Sequence, residues 1–287
     1  MSRLFECCVV VGTGLIGASL AGGAKARGLF GHTIGVGRWL ANLETARARG
    51  LVDEVTTDLA AALARADLVV VATPVATAMK QLHELAEHAP KGAVFTDVGS
   101  VKLPIVTEAA RLGLASRFVG AHPLAGKAET GAAAADVDLF RDRRVVLTPD
   151  VGTPDELTNT MRRLWTAMDA EVLVMDASAH DEVLATSSHL PQMVAFALAA
   201  AADGAAMRED VVRLVAGGFR DTTRLAASDA DMWADIARLN REPLVDAMDE
   251  FSAVFDALRD AIADGDEKAL RSLVAASQKF RREIATS

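Results

Sequence analysis

Two glycine-bounded segments of the chain carry residue types that suit ligand binding and proton transfer. Residues 12–17 read GTGLIG, a GxGxxG spacing, and residues 120–131 read GAHPLAGKAETG, with His122 among small residues. Glycine-rich turns such as residues 12–17 present backbone N–H groups to anions. A histidine titrates near neutral pH and can accept a substrate proton, so His122 is a candidate general base.

The GxGxxG segment has the sequence context of a dinucleotide-binding turn. An apolar run, Leu4–Val11, precedes it, and an Ala-rich helical stretch follows it as far as Gly28. The first glycine permits a tight bend, the second admits a pyrophosphate, and the third lets helix pack on strand. A glycine-rich turn without a ligand is the alternative, and the strand-before, helix-after context favours nucleotide binding. The predicted cofactor contacts are Gly12, Thr13, Gly14, Leu15, Ile16 and Gly17.

The end of the second predicted strand bears on which nicotinamide nucleotide binds. Thr33–Val36 is followed by Gly37 and Arg38, where a site that prefers NAD usually has an acidic residue for the ribose 2'-hydroxyl. Without that carboxylate a 2'-phosphate meets no repulsion, and Arg38 can pair with it or stack on the adenine. The sequence therefore favours NADP over NAD, with a solvated surface role for Arg38 as the alternative.

Two further predicted strands end in residues that suit a cofactor site. Leu68–Ala72 leads into Thr73 and Pro74, and the next strand leads into DVGSVK, which contains Ser100. Because the carboxyl ends of parallel strands meet at one edge of a sheet, we expect these three residues along the cofactor. The alternative for Ser100 is to cap a helix predicted over Val101–Leu112, and the two roles are compatible.

His122 follows another predicted strand, Arg117–Ala121. A lone histidine is more often structural than catalytic, but a position at a strand's carboxyl end beside a glycine-bounded loop favours catalysis. Two more strands, Arg144–Thr148 and Glu171–Val174, flank a helical stretch, Asp155–Met168. The alternation predicts an α/β fold with a Rossmann-type, doubly wound, mostly parallel sheet in a dinucleotide-binding domain over residues 1–175.

From Ser178 onwards the sequence shows only helical periodicity, which predicts an all-helical domain over residues 176–287. Pro191 removes a backbone hydrogen bond and predicts a kink near His189, which shares a helix face with Gln192. Helices that are apolar on more than one face need partners beyond a small bundle, so we expect a homodimer through this domain. The helical stretches are 179–202, 209–214, 232–239, 243–263 and 268–284.

Two arginines, Arg220 and Arg224, lie one helical turn apart after Gly217 and Gly218. Arginine is the side chain best suited to bidentate carboxylate binding. Pairing with Asp221 or solvent is the alternative, which we favour for Arg220 but not for Arg224. Arg224 is therefore the predicted carboxylate ligand.

Composition excludes several other classes of protein. The 287-residue chain has a net charge of −9, which argues against nucleic acid as a partner because phosphate binding needs clustered Lys and Arg. Its longest strongly apolar run, 193–202, is about half of a membrane span, and Glu6 interrupts any signal-like start. The adjacent Cys7 and Cys8 favour core packing over a metal site. We expect a cytoplasmic protein without a metal or a membrane partner.

Several of these motifs occur together and in order: GTGLIGASLA, DVGSVK, GAHPLAGKAETG, HDEVLATSSHLPQ and GGFRDTTRLAASDADMW. In this combination the chain resembles the prephenate/arogenate dehydrogenase family of tyrosine biosynthesis, over nearly its whole length. The resemblance implies oxidative decarboxylation of a cyclohexadienol, giving 4-hydroxyphenylpyruvate from prephenate or tyrosine from arogenate. Hydride passes from the ring C4 to NAD(P)+, and CO2 departs from C1. It also implies a Rossmann-type domain followed by a helical dimerisation domain.

The resemblance also implies roles for individual residues. His122 matches the family's histidine that binds the C4 hydroxyl, and Ser100 matches the serine that bridges histidine, hydroxyl and nicotinamide. His189 and, more loosely, His180 match substrate-binding histidines, and Arg224 matches the carboxylate-binding arginine. Gln192 is a candidate for reading the keto or amino group that distinguishes the two substrates.

One segment departs from the family pattern. Where many members read HPxAGTE or HPxAGSE, this chain has Lys127 and Ala128 before Glu129, so Lys127 is a candidate cation for the dianionic substrate. With the last predicted helix ending at Ile284, we expect no regulatory domain. The alternatives are another Rossmann-plus-helical dehydrogenase, of the hydroxyacid or imino-acid type, and a non-enzymatic NADP-binding sensor.

Overall fold

A computed structural model describes residues 2–127 and 129–285, so Ala128 lies outside the described residues. The chain packs as two units. The first runs to Leu184 and includes Ser228–Asn240, and the second comprises Ala185–Ala227 and the chain from Arg241 onwards. The domain boundary at residue 175 stays a prediction. The division into two units by packing falls after Leu184.

The first unit contains an eight-stranded sheet in the order β3-β2-β1-β4-β5-β6-β7-β8. Every neighbouring pair is parallel except β6 and β7, which are antiparallel. The order reverses between β1 and β4, which is the point where doubly wound sheets bind ligands. The predicted Rossmann-type fold is therefore confirmed. The strands are β1 Phe5–Val11, β2 Phe30–Val36, β3 Glu54–Thr56, β4 Leu68–Val71, β5 Val94–Asp97, β6 Phe118–Pro123, β7 Arg144–Pro149 and β8 Glu171–Val174.

Burial explains why the central strands read as unbroken apolar runs. Every residue of Leu68–Val71 is inaccessible to solvent, because helices cover both faces of the sheet. One face packs against Leu20 and Trp165, and the other against Leu82 and Ile105. The helices of this unit are α1 Leu15–Ala26, α2 Leu40–Ala48, α3 Leu59–Leu63, α4 Val75–His88, α5 Leu103–Arg111, α6 Asp155–Thr166, α7 Ala177–Leu184 and, later in the chain, α11 Ala230–Leu239.

The sequence did not predict β3. Glu54–Thr56 is three residues long and only partly buried at the sheet edge, where it pairs with β2 alone. A run of this length shows no periodicity from which a strand can be inferred.

The second unit is helical, as predicted. A π-helical turn spans Ala185–His189, two residues before Pro191, where the sequence predicted a kink near His189. Gly265 has φ of +66° and Asp266 caps the next helix through the N–H of Ala269. The helices are α8 Leu190–Asp203, α9 Arg208–Leu214, α10 Gly217–Thr223, α12 Arg241–Ala263 and α13 Glu267–Glu283.

Among the described residues one helical stretch, Ala177–Asp203, is long and apolar enough to cross a membrane by length and composition alone. Core helices of other proteins meet the same criterion. This stretch carries His180, Asp181, His189 and Gln192, all buried, and such polar groups are costly in lipid. The absence of a membrane partner stays a prediction.

Candidate active site

The GxGxxG turn lines a cavity of about 620 Å³ at the carboxyl end of β1. The end of β2 and the loop after β4 complete its walls, so predicted cofactor contacts from three strands lie around one space. The lining includes Gly12, Thr13, Gly14, Arg38, Thr73 and Pro74. Leu15 and Ile16 begin α1 directly after the turn.

The three glycines of the turn have different surroundings. Gly12 has φ of +100°, and a Cβ there would lie 2.7 Å from the carbonyl oxygen of Ala72. A Cβ on Gly17 would lie 2.1 Å from the carbonyl oxygen of Gly12, which leaves no room for a side chain between α1 and β1. Gly14 faces open space, since a Cβ at this position would have no described neighbour within 4 Å. The N-terminus of α1 therefore borders a space that a pyrophosphate can enter.

Asn42 holds the turn in place, a role that the sequence did not reveal. Its Nδ2 donates to the carbonyl oxygen and Oγ1 of Thr13, at 2.7 and 3.0 Å, and its Oδ1 accepts the N–H of Ala132 at 2.8 Å. One side chain thus joins the glycine turn to the loop around Gly131, another residue that lines the cavity. A single asparagine in a helix carries no sequence signal for such a link.

Arg38 is exposed at the rim of the same cavity. Among the described residues its guanidinium forms no ion pair, although the unit contains many other arginine–carboxylate pairs. The side chain is therefore available to a ligand. Thr73, which lines the same cavity, donates through Oγ1 to Oε1 of Gln81 at 2.8 Å.

His122 lies near the end of β6, and its ring contacts a second histidine. Its Nδ1 is 2.9 Å from Nε2 of His180, and Nδ1 of His180 is 2.7 Å from Oδ1 of Asp181. His180 and Asp181 are buried, whereas His122 is partly accessible. The three side chains form a hydrogen-bonded chain that includes the partly accessible imidazole of His122.

Hydrogen-bond chemistry fixes the tautomers of this chain when both rings are neutral. An ionised Asp181 only accepts, so Nδ1 of His180 carries the proton and its Nε2 accepts. His122 then donates through Nδ1, which leaves Nε2 as the basic ring nitrogen. Both ring nitrogens of His180 are engaged inside the unit, and this favours an orienting role over the substrate contact that the sequence predicted for it.

Asp181 also corrects the interpretation of Ser100 as a helix cap. Helix α5 begins at Leu103, not at Val101, and the Asp181 carboxylate accepts the N–H groups of Lys102 and Leu103 at 2.8 Å each. The cap therefore comes from another helix. Ser100 lies before this cap, partly exposed in the loop between β5 and α5.

A buried ion pair lies next to this group. The Lys102 ammonium contacts Asp97 and also donates to the carbonyl oxygen of Ala121 at 3.0 Å. Both charged side chains are almost completely inaccessible to solvent. Burial lowers the pKa of Lys102, and the Asp97 carboxylate opposes that change. The sequence predicted no function for either residue.

The second unit holds the remaining predicted substrate ligands. His189 and Gln192 are buried, and Nε2 of Gln192 donates to the carbonyl oxygen of Leu225 at 2.6 Å. This bond ties α8 to the residue that follows Arg224. Arg224 itself is exposed, and among the described residues its guanidinium forms no ion pair. Gln192 thus positions the segment that presents the arginine.

Lys127 is paired inside the first unit, 3.0 Å from Asp136. The N–H of Asp138 and the Lys127 ammonium lower the pKa of the Asp136 carboxyl group. Both side chains of the pair are exposed. This contact argues against the predicted role of Lys127 as a cation reserved for the substrate.

Comparison with known proteins gives a consistent result. Residues 20–174 match the family described as prephenate dehydrogenase, nucleotide-binding domain, and residues 176–276 match prephenate dehydrogenase, dimerization domain. The chain is 34% identical to the cyclohexadienyl dehydrogenase of Zymomonas mobilis, over 99% of this chain and 97% of that protein.

Solved structures agree with these matches. A prephenate dehydrogenase from A. aeolicus, in complex with hydroxyphenyl propionate and NAD+, is 31% identical, with a TM-score of 0.92 over 99% of each chain. The arogenate dehydrogenase of Synechocystis is 33% identical, with a TM-score of 0.86 over 97% of this chain and 100% of that chain. The chain therefore belongs to the prephenate dehydrogenase family.

Proposed function

We propose that this protein oxidatively decarboxylates prephenate or arogenate and transfers a hydride to NAD(P)+, with His122 as the general base. The observation that carries the proposal is the His122–His180–Asp181 chain, whose hydrogen bonds leave Nε2 of His122 as a basic nitrogen. A nucleotide sensor has no use for a base oriented in this way. An imidazole suits the reaction because histidine is the side chain that most often serves as a general acid or base.

The proposed chemistry uses few groups. Bound nicotinamide supplies the hydride acceptor. His122 accepts the hydrogen bond of the C4 hydroxyl through Nε2 and takes its proton as hydride leaves C4. The C1 carboxylate then leaves as CO2, its electron pair completes the aromatic ring, and the imidazolium returns the proton to the phenolate oxygen. Asp181 and His180 stabilise the positive charge that develops on His122, as an orienting acid does in other catalytic histidine sites. Ser100 is the proposed second ligand of the same hydroxyl.

We assign substrate carboxylate binding to Arg224. Its guanidinium has no competing ion pair among the described residues, and a planar fork of donors suits a carboxylate. His189 is the proposed second ligand in this unit. The amide nitrogen of Gln192 already donates to Leu225. Its amide oxygen is the proposed contact to the keto or amino substituent of the substrate.

For the cofactor we propose a preference for NADP over NAD. The support is local: β2 ends in Val36, Gly37 follows in place of an acid, and Arg38 projects at the cavity rim without an ion pair among the described residues. A 2'-phosphate at this position gains a charge-assisted hydrogen bond and meets no carboxylate at the end of the strand.

We propose that the protein assembles as a homodimer through its second unit. Large apolar side chains on α12 and α13 are exposed, including Phe255 at 59% and Phe280 at 63%. Exposed apolar surface on this scale is typical of an interface. The match to a dimerization domain supports the same conclusion. A cytoplasmic location stays a prediction.

One assay tests the activity. Purified protein is mixed with prephenate or arogenate and with NAD+ or NADP+, and the absorbance of the reduced cofactor is followed. We expect reduction with at least one substrate, faster with NADP+. A His122→Asn preparation controls for contaminating dehydrogenases. Absence of reduction in all four mixtures would refute the proposed activity.

A further inference from the structure

The ladder between β5 and β6 ends before it reaches His122. Backbone pairing of these parallel strands stops at Thr96 and Val119. Beyond that point two side chains, not the neighbouring strand, form hydrogen bonds with the backbone of β6. Oδ1 of Asp97 accepts the N–H of Ala121 at 3.3 Å, and Nζ of Lys102 donates to the carbonyl oxygen of Ala121 at 3.0 Å. Both backbone polar groups of the residue before His122 are thus held by one ion pair.

The same two side chains bracket the loop that carries Ser100. Oδ2 of Asp97 accepts the N–H of Gly99 at 2.8 Å and also contacts the Lys102 ammonium. The loop from 97 to 102 is therefore closed across its base by a salt bridge. The N–H of Lys102 in turn donates to Asp181, which orients His180.

Stability alone does not account for a pair in this position. Taking two charges out of water is costly, and apolar residues of similar volume are often equally stable. A buried pair with several further hydrogen bonds does, however, define backbone positions closely, since each displaced donor or acceptor is left unsatisfied.

We propose that the Asp97–Lys102 ion pair is a positioning device for the reaction, fixing His122 and the Ser100 loop in one geometry. This inference rests on the proposed function of His122 as the base. Neither charged group touches the substrate in this account. Both act through the backbone of Ala121 and of the loop. A displacement of about 1 Å in a catalytic group is enough to lower a rate by about 100-fold.

The test is the double variant Asp97→Asn/Lys102→Met, which removes both charges and keeps the approximate volumes. The matched control is Lys25→Met/Asp53→Asn, because Lys25 and Asp53 form another lysine–aspartate pair in the same unit, with 2.5 Å between the charged atoms. Thermal unfolding and circular dichroism establish which preparations are folded at the assay temperature.

We expect the double variant to lose about 100-fold in kcat, with KM and the Kd for the cofactor within about threefold of the original. A larger deuterium isotope effect at the ring C4 should accompany the loss, because misplacement slows the hydride step. The control should keep its kcat. A folded double variant with an unchanged kcat overturns the proposal.

Two further measurements decide the remaining cases. If the double variant does not fold, Lys102→Arg keeps the charge balance but puts a larger, planar group into the same buried space and so displaces its partners. An unchanged kcat for this variant overturns the proposal. Ring ¹⁵N NMR spectra of His122 and His180 report the geometry without turnover, and identical spectra in the folded double variant also overturn it. Failure of the unmodified protein with both substrates would instead refute the proposed activity.

Discussion

The nucleotide cavity and the residues around His122 lie along the same sheet but differ in whether their polar groups are exposed or are buried and hydrogen-bonded. In the cavity, the N-terminus of α1 borders open space at Gly14, and Arg38 projects without an ion pair among the described residues. Around His122, in contrast, Lys102, His180 and Asp181 are buried and hydrogen-bonded to one another or to nearby backbone.

We propose that this difference separates residues that bind ligands from residues that support catalysis. Groups that await a ligand keep their hydrogen-bonding capacity available, and their loss weakens binding. Groups that hold a base in place form their hydrogen bonds within the protein, so the site needs no reorganisation during the reaction. Variants in the first region should therefore change Kd or KM, and variants in the second should change kcat.

The strongest challenge to this comparison is His122→Asn. We expect kcat to fall by about 1,000-fold, because general base catalysis is lost, whereas KM and cofactor Kd change little. Steady-state kinetics and cofactor titration measure the two quantities. His88→Asn, at the exposed end of α4, is the matched control. An unchanged kcat in His122→Asn would remove the base assignment.

Replacing His180 tests whether it affects kcat by positioning His122 and not by contacting the substrate. His180→Asn should lower kcat by about 100-fold through misplacement of His122, with less than a threefold change in KM. Its unfolding temperature is measured in parallel, since His180 is fully buried. If KM rises while kcat is kept, His180 binds the substrate directly, as the sequence first predicted.

Arg224→Ala should behave like the variants in the cavity and weaken binding more than it lowers kcat. Loss of a charge-assisted hydrogen bond, worth about 2 kcal/mol, is expected to raise KM by about 30-fold with a smaller change in kcat. Arg220→Ala, one helical turn earlier and also accessible to solvent, should leave KM within about twofold. Equal effects of the two replacements would place the carboxylate ligand elsewhere.

The smallest effect is expected for Arg38, at the rim of the nucleotide cavity. Arg38→Ala should lower the ratio of kcat/KM for NADP+ over NAD+ by about tenfold, since one partly solvated phosphate contact is lost. The ratio is measured at fixed substrate with each cofactor varied. Arg47→Ala serves as the control, because this exposed arginine of α2 pairs with Glu44 and does not line the cavity. An unaltered ratio in Arg38→Ala would refute a phosphate contact.

Several sequence interpretations changed once contacts were visible. Ser100 does not cap α5, because the Asp181 carboxylate accepts the first N–H groups of that helix. Lys127 is already paired with Asp136. His180 uses both ring nitrogens within the first unit. In each case the sequence indicated a capable side chain, and only the packed structure revealed its partners or its lack of the predicted role.

The overall architecture could be predicted from the sequence, since unbroken apolar runs, helical apolar periodicity and the GxGxxG turn reflect local sterics and burial within each segment. It also indicated His122, because a histidine after a strand reaches the ligand edge of a parallel sheet. The groups that contact that histidine became known only from the packed structure. The bonds from Asp97 and Lys102 to Ala121, and from His180 to His122, join residues 19 to 58 positions apart. Such pairings depend on how strands and helices pack, and no local pattern encodes them.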